Sequence, residues 1–229
     1  MSILTNAKLS KYIRIQLIVV TLVLLFAGQP PPVRADEIAV WNFNDSNLSV
    51  DHGIGSLITS FPSFGFAAGT TINSRQGDAA LQALSLVGIA NNGQSITFSV
   101  STVGFGSISV SFATQRTSTG FNSNQFQYSL DGVNFIDFSA PYNPAASFSV
   151  VAFDLSGIAG LNNNPNAAFR IVFNGATSST GNNRLDNLVV EGTPLEGEPV
   201  PEPASLALLA TGVMSLLGAR RVRRKRKFD

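Results

Sequence analysis

The sequence contains no cysteine, which excludes disulfides and thiolate metal ligands. Lysine is also missing from the whole stretch between Lys11 and Lys225. Between Asp36 and Pro199, twelve acidic residues stand against four arginines, which gives this stretch a net charge of about −8. Nucleic-acid binding requires a positive surface that displaces counterions. We therefore expect no nucleic-acid partner, and we interpret the basic residues at the two ends as a topology signal.

Residues 1–35 have the parts of a secretory signal peptide. A positive segment precedes an apolar run at residues 15–27, and small residues then lead to a cleavage site after Ala35. This pattern predicts removal by signal peptidase and export of the rest of the chain. The alternative is an uncleaved membrane anchor. The positive segment consists of Lys8, Lys11 and Arg14.

The C-terminal part combines an apolar run with a dense basic cluster. Residues 204–219 would form a helix of roughly 24 Å, against a hydrocarbon core near 30 Å. The positive-inside rule keeps residues 220–229 in the cytoplasm, so we predict a transmembrane helix with the domain on the far side. A tail anchor or a buried amphipathic helix is the alternative, although the run has no polar face. The cluster consists of Arg220, Arg221, Arg223, Arg224, Lys225, Arg226 and Lys227.

A Pro-Glu-Pro triplet, formed by Pro201, Glu202 and Pro203, directly precedes the apolar run. Triplet, short helix and arginine-rich end together resemble the PEP-CTERM sorting signal of Gram-negative bacteria, over residues 201–229. The resemblance implies that exosortase, a transpeptidase-like membrane enzyme, recognises the triplet and removes the helix. Until then the helix anchors the protein in the inner membrane, and afterwards the protein belongs to the cell surface or exopolysaccharide matrix. Residues 193–200, rich in Pro, Gly and Glu, form a linker.

Residues 36–192 alternate apolar and polar side chains, which is typical of half-buried antiparallel strands. In "GSISVSFA", for example, Ile108, Val110 and Phe112 alternate with serines. In "AFRIVFN", Phe169 and Ile171 lie on one face and Arg170 on the other. About nine such segments are separated by turn clusters such as "NNG" and "LNNNPN", and no helical period appears between them. We therefore predict an all-β fold with a single antiparallel β-sandwich, a jelly roll, whose core is filled by phenylalanines.

The stretch "FQYSLDGVNFIDF" predicts a hairpin with Asp131 and Gly132 at its turn. This stretch is similar to phrases in galactose-binding-like and other carbohydrate-associated sandwich domains of secreted bacterial proteins. The ending "RLDNLVVEG" resembles the last strand of such modules. The resemblance implies a fold and says little about the ligand.

Carbohydrate recognition needs exposed aromatic faces and a few polar partners. Trp41 and Tyr128 lie in alternating segments, so we expect them in the core. Phe121 and Tyr142 lie in predicted loops and are expected to be exposed. Together with Arg116 they are the candidate glycan contacts.

No cofactor other than calcium is expected, and no EF-hand motif occurs. The resemblance to jelly-roll carbohydrate modules implies a structural calcium where the first and last strands meet. The candidate ligands are Asp36, Glu37, Asp45 and Asp186, with Asn44 and Asn187 as further oxygen donors. The alternative is that Asp186 and Asn187 only shape the entry to a strand.

Catalysis has little support in the sequence. His52 is the single histidine, and no Gly-x-Ser-x-Gly elbow is present. We therefore predict a non-enzymatic exported protein that acts at the cell surface or in exopolysaccharide and contacts glycan. Two alternatives remain: a secreted polysaccharide hydrolase or lyase with a carboxylate pair, and a structural or adhesive protein without a small ligand.

Overall fold

The apolar positions of the alternating segments face one shared core between two antiparallel sheets in the computed structural model, which describes residues 35–195. The strands of this part are β1 (Asp36–Trp41), β2 (His52–Gly53), β3 (Ser56–Thr59), β4 (Gly65–Ala68), β5 (Gln82–Val87), β6 (Ser95–Ser99), β7 (Phe105–Arg116), β8 (Ser123–Ser129), β9 (Ile136–Asp137), β10 (Ser149–Asp154), β11 (Ala168–Asn174) and β12 (Asn182–Pro194). Its helical elements are the short 3-10 turns Ile89–Asn91 and Ala159–Leu161.

The strand order is that of a jelly roll, as the sequence predicts. The first sheet contains the order β5-β12-β7-β10, and the second contains β6-β11-β8-β9. Successive strands from β5 to β8, and again from β9 to β12, therefore lie in opposite sheets, which is the double Greek-key pattern. The additional strand β1 pairs with the C-terminal half of β12, and β3 pairs with β6.

The alternation of side chains determines which face of each strand is buried. In β7, Ile108, Val110 and Phe112 are fully buried, and the serines between them face outward. In β11, Phe169 and Ile171 enter the core, and Arg170 lies on the opposite face. Both patterns were predicted from the period of two residues, and both are confirmed.

Aromatic side chains fill the space between the sheets. Phe126 of the second sheet stacks on Phe153 of the first, with ring centroids 3.9 Å apart and planes 8° apart. Trp41 is fully buried and meets the ring of Phe98 edge-on at 6.0 Å. The predicted core position of Trp41 is therefore confirmed, and Tyr128 packs against the edge of the same core.

One departure from simple alternation lies in β12. Leu185 and Leu188 both face the core although they are three positions apart. A β-bulge absorbs the additional residue, and Asn187 adopts a left-handed backbone with φ 48°. Asparagine tolerates this conformation better than most residues do. The bulge places the polar groups of Asp186 and Asn187 next to the loop that follows β4.

The ends of the described part lie beside each other, because Asp36 pairs with Gly192. β1 begins at the residue that follows the predicted cleavage site. β12 continues to Pro194, two residues past the predicted domain end at 192, because Thr193 and Pro194 still pair with β7. The predicted signal helix at residues 1–34, most of the linker and residues 201–229 lie outside the described residues. Between residues 35 and 195 no helix is long and apolar enough to span a membrane.

Candidate functional site

The middle of the outer side of the first sheet is covered by residues 69–78 of the loop between β4 and β5, which we call the covering segment. The side-chain amide of Asn187 donates to the carbonyl oxygens of Thr70 and Ile72 at 2.7 and 2.9 Å. Val189 has no exposed surface, although it lies on the face turned away from the core. The middle of this face therefore offers little surface to a ligand, whereas its β10 edge, with Val150 50% exposed, is open.

A buried carboxylate fixes the start of the covering segment. Asp186 is 1% exposed, and its two oxygens accept hydrogen bonds from the backbone N–H groups of Thr70 and Asn187 at 2.7 and 2.8 Å. Burial raises the pKa of Asp186 to about 7, which outweighs the lowering effect of these two donors. A Cβ atom at Gly69 would lie 2.5 Å from an Asp186 oxygen, so this close approach requires glycine.

The outer side of the second sheet is open to solvent. The register of β3, β6, β11, β8 and β9 places one outward side chain of each strand in a single row across the sheet. Each of these side chains is at least partly exposed, and we call the set the central row. The central row consists of Ile58, Thr97, Arg170, Gln127 and Asp137.

A chain of hydrogen bonds orders three members of the central row. Arg170 Nε donates to Gln127 Oε1 at 2.7 Å, and Gln127 Nε2 donates to Asp137 Oδ1 at 2.6 Å. The guanidinium carbon of Arg170 also lies 4.0 Å from the centre of the Phe135 ring. These contacts hold planar donor and acceptor groups in fixed orientations on an exposed face.

A shallow hollow of about 390 Å³ lies at one end of this face. Its polar lining includes Ser56, Ser99, Asn166 and Asp131. Hydrogen bonds from the backbone and side chain of Asn134, and from the backbone of Val133, hold the pKa of Asp131 well below its usual range. Asp131 therefore stays ionised and stabilises the β8–β9 turn, as expected of an aspartate in a tight turn.

Phe121, a predicted glycan contact, is buried, so the expectation that it is exposed is wrong. It has no exposed surface and packs against Phe61 and Phe173, each with a ring-centroid distance of 5.8 Å. The side chain of Asn183 binds both the N–H and the C=O of Phe121, at 2.8 and 3.0 Å. These bonds pull the loop inward, and its aromatic side chain covers the core.

Tyr142, another predicted contact, also turns inward, and its expected exposure is wrong as well. Its ring meets Phe153 at a centroid distance of 5.8 Å, and its hydroxyl is buried without a hydrogen bond of normal geometry. Burial raises the pKa of this phenol above its usual value. The backbone of Tyr142 forms two hydrogen bonds with Asn124, which bring this loop beside β8.

Arg116 is partly exposed, but its guanidinium serves the loop that contains it. Nε donates to Asn143 Oδ1 at 2.7 Å, and Nη1 donates to the carbonyl oxygens of Thr117 and Ser118. It lies in β7 of the first sheet, and the open face belongs to the second. A glycan contact through Arg116 stays a prediction.

The four acids predicted as calcium ligands do not converge. Asp36 pairs with Gly192 at the start of β1, and Asp186 lies beyond the opposite end of the β1–β12 pair. Glu37 instead accepts a hydrogen bond from Gln76 at 2.9 Å, and Asp45 is exposed in the turn after β1. Between residues 35 and 195 no three His, Asp or Glu side chains are grouped closely enough to hold a metal ion.

The acids of the described residues mostly have structural partners. Glu191 and Glu37 lie 2.9 and 3.7 Å from the guanidinium of Arg75, which connects the covering segment to β12 and β1. His52 Nε2 lies 3.3 Å from Asp78 Oδ2. These contacts give Glu37, Glu191 and Asp78 partners within the domain.

Sequence reasoning did not single out the central row. Alternation does place Arg170 on the outer face of β11, and Gln127 alternates with the buried Phe126 in the same way. However, the assembly of the row depends on the pairing of β11 with β8 and β6, which lie 30 or more positions apart in the sequence. Alternation within a strand carries no information about this pairing.

Solved structures similar to this chain include domains of carbohydrate-associated proteins. The xylan-binding domain CBM22-1 of Xyn10C from Paenibacillus barcinonensis has a TM-score of 0.49 at 10% identity, covering 72% of this chain and 99% of that one. TmCBM61, solved with β-1,4-galactotriose, has a TM-score of 0.41 at 12% identity, covering 65% of this chain and 92% of that one. Domain 4 of AbnA, an extracellular arabinanase from Geobacillus stearothermophilus solved with arabinotriose, has a TM-score of 0.42 at 16% identity, covering 71% and 95%.

All three TM-scores are below 0.5, so nothing about the ligand of this chain follows from them. No curated protein gives a significant match to the chain. One family model matches, described as the PEP-CTERM protein-sorting motif, over residues 199–225. This range contains Pro201, Glu202 and Pro203, so the predicted sorting signal is confirmed. The chain therefore carries a PEP-CTERM protein-sorting motif, which implies an exported protein whose C-terminal anchor is processed by exosortase at the cell envelope.

Proposed function

We propose that this is a non-enzymatic, glycan-binding protein that reaches the cell surface or exopolysaccharide matrix, and that its open face contacts the glycan. The observation that carries the proposal is the central row, an ordered array of planar polar groups on an uncovered sheet. On the first sheet, by contrast, the covering segment lies over the middle of the outer face. This difference favours the second sheet as the binding surface.

The chemistry of the central row suits a hydroxyl-rich polymer. A sugar ring presents neighbouring hydroxyls that both donate and accept hydrogen bonds. Gln127 offers an amide, Thr97 a hydroxyl and Asp137 a carboxylate, so both kinds of partner are available. Ile58 is 66% exposed and adds an apolar surface for the C–H face of a ring. Because the row lies on an open sheet face, it favours an extended chain over a small enclosed molecule.

The acids support a non-enzymatic role. Glycoside hydrolysis uses two carboxyl groups about 5–10 Å apart, one of which has a raised pKa. On the open face, Asp137 is the acid of the central row, and Asp131 in the hollow has a lowered pKa. Burial raises the pKa instead at Asp186, which lies under the covering segment, and at Asp51, which accepts the backbone N–H of Asn42 away from the open face. This arrangement favours binding over the alternative of a hydrolase or lyase.

Affinity electrophoresis of the full chain in detergent through gels containing soluble polysaccharides tests the proposal. We expect at least one polysaccharide to retard the protein, and we expect Gln127→Ala to weaken that binding about tenfold, the loss of one to two hydrogen bonds. The matched control is Gln115→Ala on the outer face of the first sheet, which should leave binding unchanged. Equal effects of the two substitutions, or no retardation by any polysaccharide, would contradict a glycan site on the open face.

Sorting is tested by mass spectrometry of the protein recovered from cells with and without exosortase. In cells with the enzyme we expect an N-terminus at Asp36 and loss of the apolar run 204–219. In cells without it, the C-terminus should extend to Asp229. A C-terminus at Asp229 in both strains would show that the motif is not processed, and an intact residue 1–35 segment would contradict cleavage by signal peptidase.

A further inference from the structure

Arg170 is a cation without a carboxylate partner at the centre of the open face. Among residues 35–195, its Nη1 and Nη2 atoms have no hydrogen-bond acceptor, and no carboxylate oxygen lies within 4.0 Å of its guanidinium. Arg75 differs, because it is bound by two glutamates on the first sheet. The terminal nitrogens of Arg170, in the middle of the five-stranded sheet, are therefore available to bind a ligand.

The guanidinium is also held in one orientation before any ligand arrives. Its Nε donates to Gln127 Oε1 at 2.7 Å, and its Cζ lies over the Phe135 ring, 4.0 Å from the ring centroid. With Nε occupied, the remaining donors are the two terminal nitrogens, which form a planar fork. That fork matches the two oxygens of a carboxylate, and a pre-oriented group loses less entropy on binding.

We infer that the glycan bound by the open face carries carboxylates, as in a polymer of uronic acids, and that Arg170 binds one carboxylate through Nη1 and Nη2. This inference rests on the proposed function. Asp137 does not prevent it, because Gln127 lies between the two groups: it accepts from Arg170 Nε and donates to Asp137 Oδ1, so Asp137 does not occupy Nη1 or Nη2. Asp137 would then accept from sugar hydroxyls while Arg170 holds the acid.

The overall charge of the domain makes this inference specific. Residues 35–195 contain ten acids and four arginines, so the domain as a whole repels a polyanion. General attraction therefore does not explain binding of a polyuronate, and a local site must supply it. A single substitution at that site should consequently remove most of the binding.

The experiment uses the full chain in detergent at pH 7, with the seven basic residues between 220 and 227 replaced by glutamine in every variant so that this cluster cannot bind a polyanion. It compares polygalacturonate with its fully methyl-esterified form, which keeps the backbone and removes the charge. Alginate and hyaluronate are additional acidic polymers. We expect at least one of these acidic polymers to bind. If polygalacturonate binds, we expect its affinity to be at least tenfold higher than that of its methyl ester. Arg170→Gln should reduce binding of the acidic polymer at least tenfold, and Arg170→Lys should restore part of it.

Arg184→Gln is the matched control, because Arg184 lies on the first sheet and also has no carboxylate partner among the described residues. It should leave binding unchanged, and the melting temperature of Arg170→Gln should stay near that of the wild type. Binding of neutral polysaccharides only, or equal losses in the two arginine variants, would overturn the inference and leave the proposed function standing. Absence of binding to any acidic or neutral polymer would overturn both.

Discussion

Replacing Phe126 with alanine is expected to lower the free energy of unfolding by about 3–5 kcal/mol, the usual range for removing a buried phenylalanine. Phe126 is fully buried, stacks on Phe153 at 3.9 Å and lies 6.2 Å from the ring of Phe169. It therefore connects the two sheets at the centre of the core. Without cysteine in the chain, no disulfide can offset the cavity that the substitution leaves.

Urea unfolding followed by tryptophan fluorescence measures this change, because the single tryptophan, Trp41, is buried in the same core. The matched control is Phe64→Ala. Phe64 is 42% exposed and contacts Phe66 edge-on at 6.0 Å, so its loss should cost less than about 1 kcal/mol. Similar losses in the two variants would show that Phe126 does not connect the sheets as described.

Raising the pH from 4 to 8 is expected to destabilise the domain through Asp186. Burial raises the pKa of this carboxyl to about 7, above the value near 4 of an unfolded chain. The folded state therefore binds a proton more tightly than the unfolded state does. The resulting stability is fully present below pH 4 and is lost as the pH rises towards 7, by about 2–4 kcal/mol in total.

The measurement is urea unfolding at several pH values for the wild type and for Asp186→Asn, which cannot titrate. We expect the variant to have a flatter pH dependence between pH 4 and 7, whatever its absolute stability. Asp154→Asn is the control. Asp154 is exposed, and hydrogen bonds from Ser156 lower its pKa. The stability that Asp154 contributes is therefore lost only in acid below pH 4, outside the pH range in which Asp186 titrates. An unchanged slope in Asp186→Asn would refute the role assigned to this carboxyl.

Features that depend on neighbours in the sequence could be predicted. Alternation with period two correctly placed Phe112 and Phe169 in the core and Arg170 on an outer face. The Pro-Glu-Pro triplet with its helix and basic cluster could likewise be recognised from order alone. The jelly roll followed from the number of strands and the turns between them.

Features that depend on distant contacts could not be predicted. Phe121 was expected to be exposed because its surroundings are typical of a turn, but Asn183, which lies 62 positions away, pulls it inward. The covering segment has no alternation, and its position depends on the bulge at Asp186 and Asn187. The central row requires the pairing of β11 with β8, which no local pattern specifies.

The chain leaves the described domain through β12, which determines how the fold resists mechanical load. β12 is the longest strand, with 13 residues, and it pairs with β7 along one edge and with β5 and β1 along the other. A pull transmitted through residue 195 therefore first meets β7 and β1, on the two edges of the C-terminal half of β12, and reaches the pairing with β5 only at residues 182–185. A strand bonded on one side only would peel away one hydrogen bond at a time. While its C-terminal segment is still attached, the protein is thus pulled through the best-supported strand of the sandwich.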